Sequence, residues 1–343
     1  MIRRDAVSLN ACGGGELPPR TRTKGKTMGY AERTPPTPQE FVAYRQRFNN
    51  WGRWGTDDQL GTLNFITPDV RLAAAALVRE GHSVSCSNPL ATASVVADKF
   101  RNARPAEVAL TVNPAVPGDP GTGGSTDRIT VGYHGFVNTH IDALCHIFAA
   151  DGMLYNGRSP SLLHEDGAET NSVEHWRDGI VTRGVLYDIA HMRGKPYIDV
   201  DEPVQGWELR DFADRHGITP RPGDAVLVRS GSDPFWTAHP DFHLQYPPNT
   251  PGLAASCLEF LYETDAALLG WDLMEATGQG YDTGTPIHRI AVPYMGLPLL
   301  DNANFERLSA NCAEMRRYEF MLTVAPLVVN GGTGSPVNPI ATF

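Results

Sequence analysis

Four side chains with metal-ligating chemistry fall within thirteen positions of an otherwise apolar stretch, VGYHGFVNTHIDALCHIFAADGMLYNG. They are His134, His140, Asp142 and His146. An imidazole or a carboxylate that is removed from water needs a partner. If the stretch is a β-strand, His140 and Asp142 project from the same face, about 6.6 Å apart along the strand. The spacing predicts either a divalent metal site or a satisfied polar pair in the core.

His134 and His146 have the same parity as His140, so a continuous strand would bring all four groups to one face. Gly135 and the two residues after Asp142 interrupt the strand pattern. Neutral imidazoles and an ionised carboxylate are common ligands of Zn, Mn and Fe(II). Four polar groups on one face favour a metal more than a single His-x-Asp pair does, and spacing alone leaves both interpretations open.

The composition is that of a soluble globular protein of 343 residues, with 41% hydrophobic and 20% charged residues. A net charge of -10 argues against a nucleic acid or an anionic membrane as partner, because either would require a basic surface. The five cysteines are widely spaced and include no CxxC pair, so a disulfide framework is not indicated and a cytoplasmic location is expected. No apolar run reaches the roughly 18 residues of a membrane span.

Residues 1–38 are rich in Gly, Pro, Thr and Arg and are predicted to be a disordered extension, and residues 39–343 are predicted to form one domain. Helix signals occur in TPQEFVAYRQRF, in TPDVRLAAAALVREG and around Trp207 to His216. Buried strands are predicted in GIVTRGVLYDIA, DAVLVRSG and AALLGWDL, and a further strand in TPIHRIAVP. A loop is predicted in PGDPGTGGSTD, and its length is typical of lids. Helices alternate with buried strands, and some strand runs adjoin one another. An α/β fold with a mixed, partly antiparallel sheet is expected.

The segment NTHIDALCH resembles the motif H-x-G-T-H-x-D-x-P-x-H of the cyclase-like metal-dependent hydrolases, a family that includes bacterial kynurenine formamidases and isatin hydrolase. The resemblance extends over about residues 50–310 and includes NWGRWGTDDQLGTLNFITP, DGMLYNG, LLGWDLMEA and PIHRIAVPYMGLPLLDN in the family's order. It implies a swivelling β/β/α fold and assembly as a homodimer or homotetramer.

The resemblance also implies roles for individual residues. His140 matches a metal ligand, Asp142 a shared or bridging ligand, and His146 the catalytic acid/base. His288 resembles the downstream ligand histidine, and Asp301 occupies the place of a carboxylate that completes the site. Asp301 precedes an asparagine and a helix-like segment, so capping that helix is the alternative.

The first motif histidine is replaced by Phe136, and the nearest histidine is His134, six residues before His140. If the chain bulges at Gly135, His134 can take the place of the missing ligand. Otherwise His134 supports another ligand or contacts the substrate, and one of two metal sites is lost.

Together these features predict a metal-dependent hydrolase of carbon–nitrogen bonds other than peptide bonds, or of lactones, that uses Mn or Zn to activate water. A small substrate is expected, with aromatic substrates favoured. It would lie against a wall formed by Trp51, Trp54 and Phe148, unless these aromatic residues serve only packing. The alternatives are a metal-dependent cyclase or dehydratase of secondary metabolism, and a metal-poor relative that only binds a ligand.

Overall fold

A computed structural model describes residues 33–92, 106–119, 121–240, 242 and 249–343. Most of the predicted disordered extension lies outside the described residues, so its disorder stays a prediction. Its last residues contact the domain. The Arg33 guanidinium pairs with Asp211 at 2.9 Å, and the Tyr281 hydroxyl donates to the Pro36 carbonyl at 3.0 Å.

The strands, numbered along the chain, are β1 (Ser83–Ser85), β2 (Glu107–Asn113), β3 (Gly124–Thr130), β4 (His140–Asp142), β5 (Leu163–His164), β6 (Gly167–Ala168), β7 (Ile180–Asp188), β8 (Ala225–Arg229), β9 (Leu268–Trp271), β10 (Leu299–Asp301), β11 (Glu319–Val324), β12 (Gly334–Pro336) and β13 (Ile340–Thr342). The α-helices are α1 (Pro38–Arg47), α2 (Pro68–Ala75), α3 (Ile189–Met192), α4 (Gly206–His216), α5 (Ser232–Ala238), α6 (Cys257–Glu263), α7 (His288–Ile290) and α8 (Glu306–Met315). A π-helix covers Ala291–Met295, and 3₁₀ turns cover Gly61–Phe65, Tyr155–Gly157, Pro160–Leu162 and Val173–Trp176.

A mixed sheet organises the described part of the chain, with its strands in the order β1-β13-β11-β7-β8-β9-β10-β4-β12. Strands β7, β8, β9 and β10 pair in parallel, and antiparallel strands extend the sheet on both sides. The parallel strands are buried almost throughout, as expected when both faces of a sheet are covered. The predicted α/β single domain with a mixed, partly antiparallel sheet is confirmed.

The helix predictions near the N-terminus are confirmed, with one change of length. Thr37 and Glu40 form a capping box at the start of α1, and Phe41 and Tyr44 bury one side of that helix. Helix α2 begins after Thr67 but ends at Ala75, six residues before Gly81, the last residue of the predicted helix segment TPDVRLAAAALVREG. Only Ala74 of α2 is buried, so little packing is present to extend the helix.

Two predictions of local structure were wrong. The predicted loop over PGDPGTGGSTD ends early because Gly124 already starts β3, which pairs with β2 along seven residues of an exposed hairpin. The predicted strand over TPIHRIAVP is helical instead, formed by α7 and the π-helix. Pro293 lacks the N–H that a central strand would need. Backbone hydrogen bonds stabilise the helical conformation instead, such as the one from Ala291 N–H to the Ile287 carbonyl at 2.7 Å.

Among the helices that the structure describes, none has both the length and the apolarity that a membrane crossing requires.

Candidate metal centre

Strand β4 carries the centre of the site because it lies between two other strands. It pairs antiparallel with β10 on one side and with β12 on the other. His140 lies directly opposite Asp301 in this register, and residues opposite each other in an antiparallel pair share a face. The His140 Nε2 and Asp301 Oδ2 atoms are 3.9 Å apart. The predicted common face of His140 and Asp142 is therefore extended by Asp301 from the neighbouring strand.

Asp142 is the carboxylate around which the imidazoles converge. Its oxygens lie 3.0 Å from His134 Nδ1, 3.4 Å from His140 Nε2, 3.6 Å from His288 Nε2 and 3.7 Å from His146 Nε2. The side chain is wholly buried, and neither oxygen receives an aligned hydrogen bond. A buried carboxylate whose contacts with its donors are poorly aligned is costly unless a positive charge compensates it. This observation fits a cation among these side chains.

The ligand atoms fall into two overlapping groups, each with its atoms within 4.8 Å of one another. One group consists of His134, His140 and Asp142, and the other of Asp142, His288 and Asp301. The structure thus brings together all five residues that the sequence nominated as metal ligands. Asp142 belongs to both groups, which is the arrangement that a shared or bridging ligand requires. Nitrogen and carboxylate donors of this kind suit Zn, Mn and Fe(II).

Neighbouring groups orient the ligand side chains. His140 Nδ1 lies 2.8 Å from the Asn138 carbonyl, and His288 Nδ1 lies 2.8 Å from both oxygens of Glu275, so each ring directs Nε2 at the site. Asp301 Oδ1 accepts the indole N–H of Trp271 at 2.6 Å. Such outer partners fix the rotamers and the tautomers of metal ligands. Asp301 does not cap α8, which begins five residues further on.

Glu275 and Trp271 are functional candidates that the sequence reasoning did not identify. Glu275 follows the buried strand β9 by four residues, and an acidic residue at that end of a parallel strand is a signal that could have found it. Trp271 is the last residue of β9, and its sequence context reads only as a buried strand.

His134 reaches the site from a loop and not from an extended β4. The strand covers only three residues, so the parity argument for His134 and His146 was wrong. Gly135 has φ +113°, where glycine is favoured, and the Asn302 side-chain amide donates to the Gly135 carbonyl at 2.6 Å. The turn directs His134 inward and leaves Phe136 42% exposed.

His146 lies at the open side of the cluster. Its side chain and that of His134 are each 27% exposed, whereas those of His140 and Asp142 are buried. The rings of His134 and His146 stack with centroids 3.8 Å apart and planes 3° apart. Burial and the neighbouring imidazoles of His134 and His288 lower the pKa of His146 to about 4. A neutral His146 beside the cluster can accept a proton at neutral pH.

Burial and neighbouring charges act in opposite directions on the pKa values of Asp142 and His288. Burial opposes ionisation of Asp142, yet the imidazoles of His134 and His140 hold its pKa well below the usual range. Burial also opposes charge on His288, but Glu275 and Asp301 more than offset it and raise the pKa of His288 well above normal. The carboxylates thus favour the protonated form of His288, and the imidazoles favour the ionised form of Asp142.

The three predicted substrate-binding aromatic residues differ in their surroundings. The Trp51 indole N–H donates to the Pro293 carbonyl at 2.6 Å, and its ring stacks on Tyr294 at 5.9 Å. Trp54 packs edge-on against Phe65 at 5.1 Å. Phe148 is 36% exposed and lies two residues after His146. A role in substrate binding stays a prediction for all three.

The chain belongs to the family described as "Putative cyclase", whose model matches residues 42–276. The resemblance inferred from NTHIDALCH and the flanking segments is thereby confirmed. Among curated protein sequences, none matches the chain significantly.

Solved structures extend the comparison. A crystal structure described as a novel cyclase is 27% identical to this chain, with a TM-score of 0.76, and the match covers 86% of this chain and 100% of that one. An isatin hydrolase bound to the product analogue thioisatinate is 16% identical, with a TM-score of 0.52 and coverage of 80% and 98%. Isatin hydrolase A from Labrenzia aggregata, bound to benzyl benzoate, is 18% identical, with a TM-score of 0.52 and coverage of 78% and 94%. The two isatin hydrolases share the fold of this chain.

Proposed function

We propose that the protein is a metal-dependent hydrolase of a small, non-peptide amide, formamide, cyclic imide or lactone. The observation that carries the proposal is Asp142, a wholly buried carboxylate without an aligned donor, faced by four imidazoles and accompanied by Asp301. His134, His140, Asp142, His288 and Asp301 would hold one or two divalent ions, with Zn or Mn as the expected metal. Such an ion supplies Lewis-acid charge that acidifies water and polarises a carbonyl.

His146 is the proposed acid/base. Its lowered pKa keeps the ring neutral at pH 7, and its partial exposure places it where a substrate and water can approach. In hydrolysis, the oxygen of water adds to the carbonyl carbon while His146 accepts the proton of that water. When the carbon–nitrogen or carbon–oxygen bond breaks, His146 returns the proton to the leaving atom. His134, stacked on His146, holds the imidazole plane during both transfers.

An aromatic substrate is proposed because Phe148, two residues after His146, is partly exposed and because isatin hydrolases share the fold. Trp51 and Trp54 would extend the aromatic wall. Assembly as a homodimer or homotetramer in the cytoplasm is proposed with the same function, from the family resemblance and the cysteine content.

The test is a hydrolysis screen on protein loaded with Zn²⁺ or Mn²⁺, using isatin, N-formylkynurenine, hydantoins and simple lactones. Turnover of at least one ring-amide or formamide substrate is expected, with an about 10²- to 10⁴-fold loss in His146→Gln. Turnover that is unchanged in His146→Gln would contradict the assigned role. A metal-loaded protein that only cyclises or dehydrates would support the second candidate, a cyclase, which the 27% identity to a structure described as a novel cyclase favours.

A further inference from the structure

The hairpin formed by β2 and β3 has one apolar face. Successive residues of a strand project to opposite faces, so Val108, Leu110 and Val112 lie on the same face of β2. Ile129 of β3 is paired with Val108 and shares that face. These four side chains are between 51% and 64% exposed. An antiparallel pair with such alternation normally packs its apolar face on another surface, and the described part of the chain provides none here.

The hairpin is not expected to persist in water without such a surface. All seven residues of each strand are exposed, and among the described strands β2 pairs only with β3. A two-stranded hairpin on its own is at best marginally stable. A long apolar strand with an open edge is also a site at which another chain can associate. The hairpin therefore needs a partner surface.

A second apolar surface lies on the same side of the molecule. Leu327, Val328 and Val329 are consecutive, and their side chains are 57%, 59% and 41% exposed. Val329 lines a surface cavity together with Tyr133, whose hydroxyl donates to the Gly334 carbonyl at 2.9 Å. Tyr133 follows the end of β3 by three residues, so the base of the hairpin lies close to this segment. The chain thus presents a protruding apolar face and an apolar surface that could receive it.

Size favours a second copy of the chain as the partner. Two strands of seven residues form a face about 24 Å long and about 10 Å wide, on the order of 200–300 Å². Each partner in a stable interface contributes roughly 800 Å², so the hairpin face alone is too small. In a two-fold dimer, each copy contributes its hairpin and its residues 327–329 to one interface, and both apolar surfaces are buried.

The charges of the hairpin agree with this arrangement. Asp127 is paired with Leu110 on the apolar face, so two hairpins packed directly on each other around a two-fold axis would bring like charges together. Packing of β2 on the body of the partner instead leaves Asp127 at the polar rim that interfaces typically have. An anionic membrane is disfavoured as the partner, because the chain has a net charge of -10 and Arg128 is the one basic residue of the two strands.

We propose that the apolar face of the β2–β3 hairpin packs on residues 327–329 of a second copy of this chain, and that the contact is repeated by two-fold symmetry. The inference rests on the proposed assembly as a homodimer or homotetramer and gives that assembly a defined surface. It does not depend on the metal or on the proposed reaction.

The test is the mass of the full chain in solution, measured by sedimentation velocity over a range of protein concentrations. The wild type should sediment as a dimer or tetramer. Leu110→Lys should weaken the association by about 30-fold or more, because it places a charge in the centre of the apolar face. The new ammonium group would lie opposite Asp127, so the hairpin itself gains a favourable cross-strand pair. Thr111→Lys adds the same charge to the other face of the same strand, and this matched control should leave the mass unchanged.

Val328→Lys tests the receiving surface in the same way. Its matched control is Leu72→Lys, at a leucine of α2 that is 69% exposed. Association should be lost in Leu110→Lys and in Val328→Lys and retained in both controls. A monomeric wild type would overturn the inference, as would result if residues 93–105 of the same chain covered the hairpin. Association that survives either Leu110→Lys or Val328→Lys would also overturn it. Turnover enters none of these measurements, so a failure to hydrolyse any substrate would count only against the proposed reaction.

Discussion

Replacing Glu275 with glutamine should weaken metal binding without unfolding the protein. Glu275 is 5% exposed, and its oxygens lie 2.8 Å from His288 Nδ1 and 3.1 Å from the His288 backbone nitrogen. In glutamine, an NH₂ group replaces one of these oxygens and can donate to Nδ1. His288 then gains an alternative tautomer with its proton on Nε2, 3.2 Å from Asp301 Oδ2, where it cannot bind a metal.

Loss of an outer carboxylate partner typically costs about 10- to 100-fold in metal affinity, or about 1.4–2.7 kcal/mol. The assay is Zn²⁺ competition with a chromophoric chelator at pH 7. Glu259→Gln is the matched control, because Glu259 is equally buried but accepts from Tyr44 at 2.6 Å, away from the cluster. A Glu275→Gln protein with affinity within twofold of the wild type would refute the idea that Glu275 directs His288.

Three further outcomes are expected. His146→Gln should retain its metal while turnover falls about 10²- to 10⁴-fold, and an equal loss of metal would instead make His146 a ligand. In metal-free protein the pKa of His146 in the folded state is lowered to about 4. The neutral ring therefore contributes its full share to the free energy of unfolding above pH 6.5, and this share is lost as the pH falls through 4, because the unfolded chain binds the proton first. This loss, up to about 3 kcal/mol, should disappear from the denaturation curves of His146→Gln; parallel pH profiles would contradict the lowered pKa. Phe136→His should leave Zn²⁺ stoichiometry unchanged in a titration, because residue 136 faces outward, and a gain of one ion per chain would show that the position can still reach the site.

The buried strands and the capped helices could be predicted because their signals are local. Strand β9 is a continuous apolar run, β7 and β8 are mostly apolar or β-branched, and α1 begins with a threonine cap and a glutamate three residues later. The helical path around His288 could not be predicted in the same way. TPIHRIAVP has the β-branched residues of a strand, and its helical conformation depends on tertiary packing that buries nearly every residue from 286 to 300.

The period of two predicts the part of the site that strand β4 carries, whereas the family resemblance nominates the residues that other segments supply. His140 and Asp142 share a face of β4, as the period of two requires. His134 converges on the same point through a turn at Gly135 that Asn302 anchors, and no periodicity encodes such a turn. The pairing of Glu275 with His288 and of Trp271 with Asp301 depends on strand order, which brings distant segments of the chain together.

The most direct test of the central claim is the metal content of Asp142→Asn beside the wild type. We expect the wild type, purified and dialysed against Zn²⁺ or Mn²⁺, to retain at least about one ion per chain by elemental analysis. The Asp142→Asn protein should lose that ion while it unfolds cooperatively, because the site is a small part of a large core. Asp272→Asn, at another buried aspartate whose oxygens accept the backbone N–H groups of Ser230 and Gly231, should retain it. Unchanged metal stoichiometry and affinity in Asp142→Asn would contradict a metal centre built around Asp142.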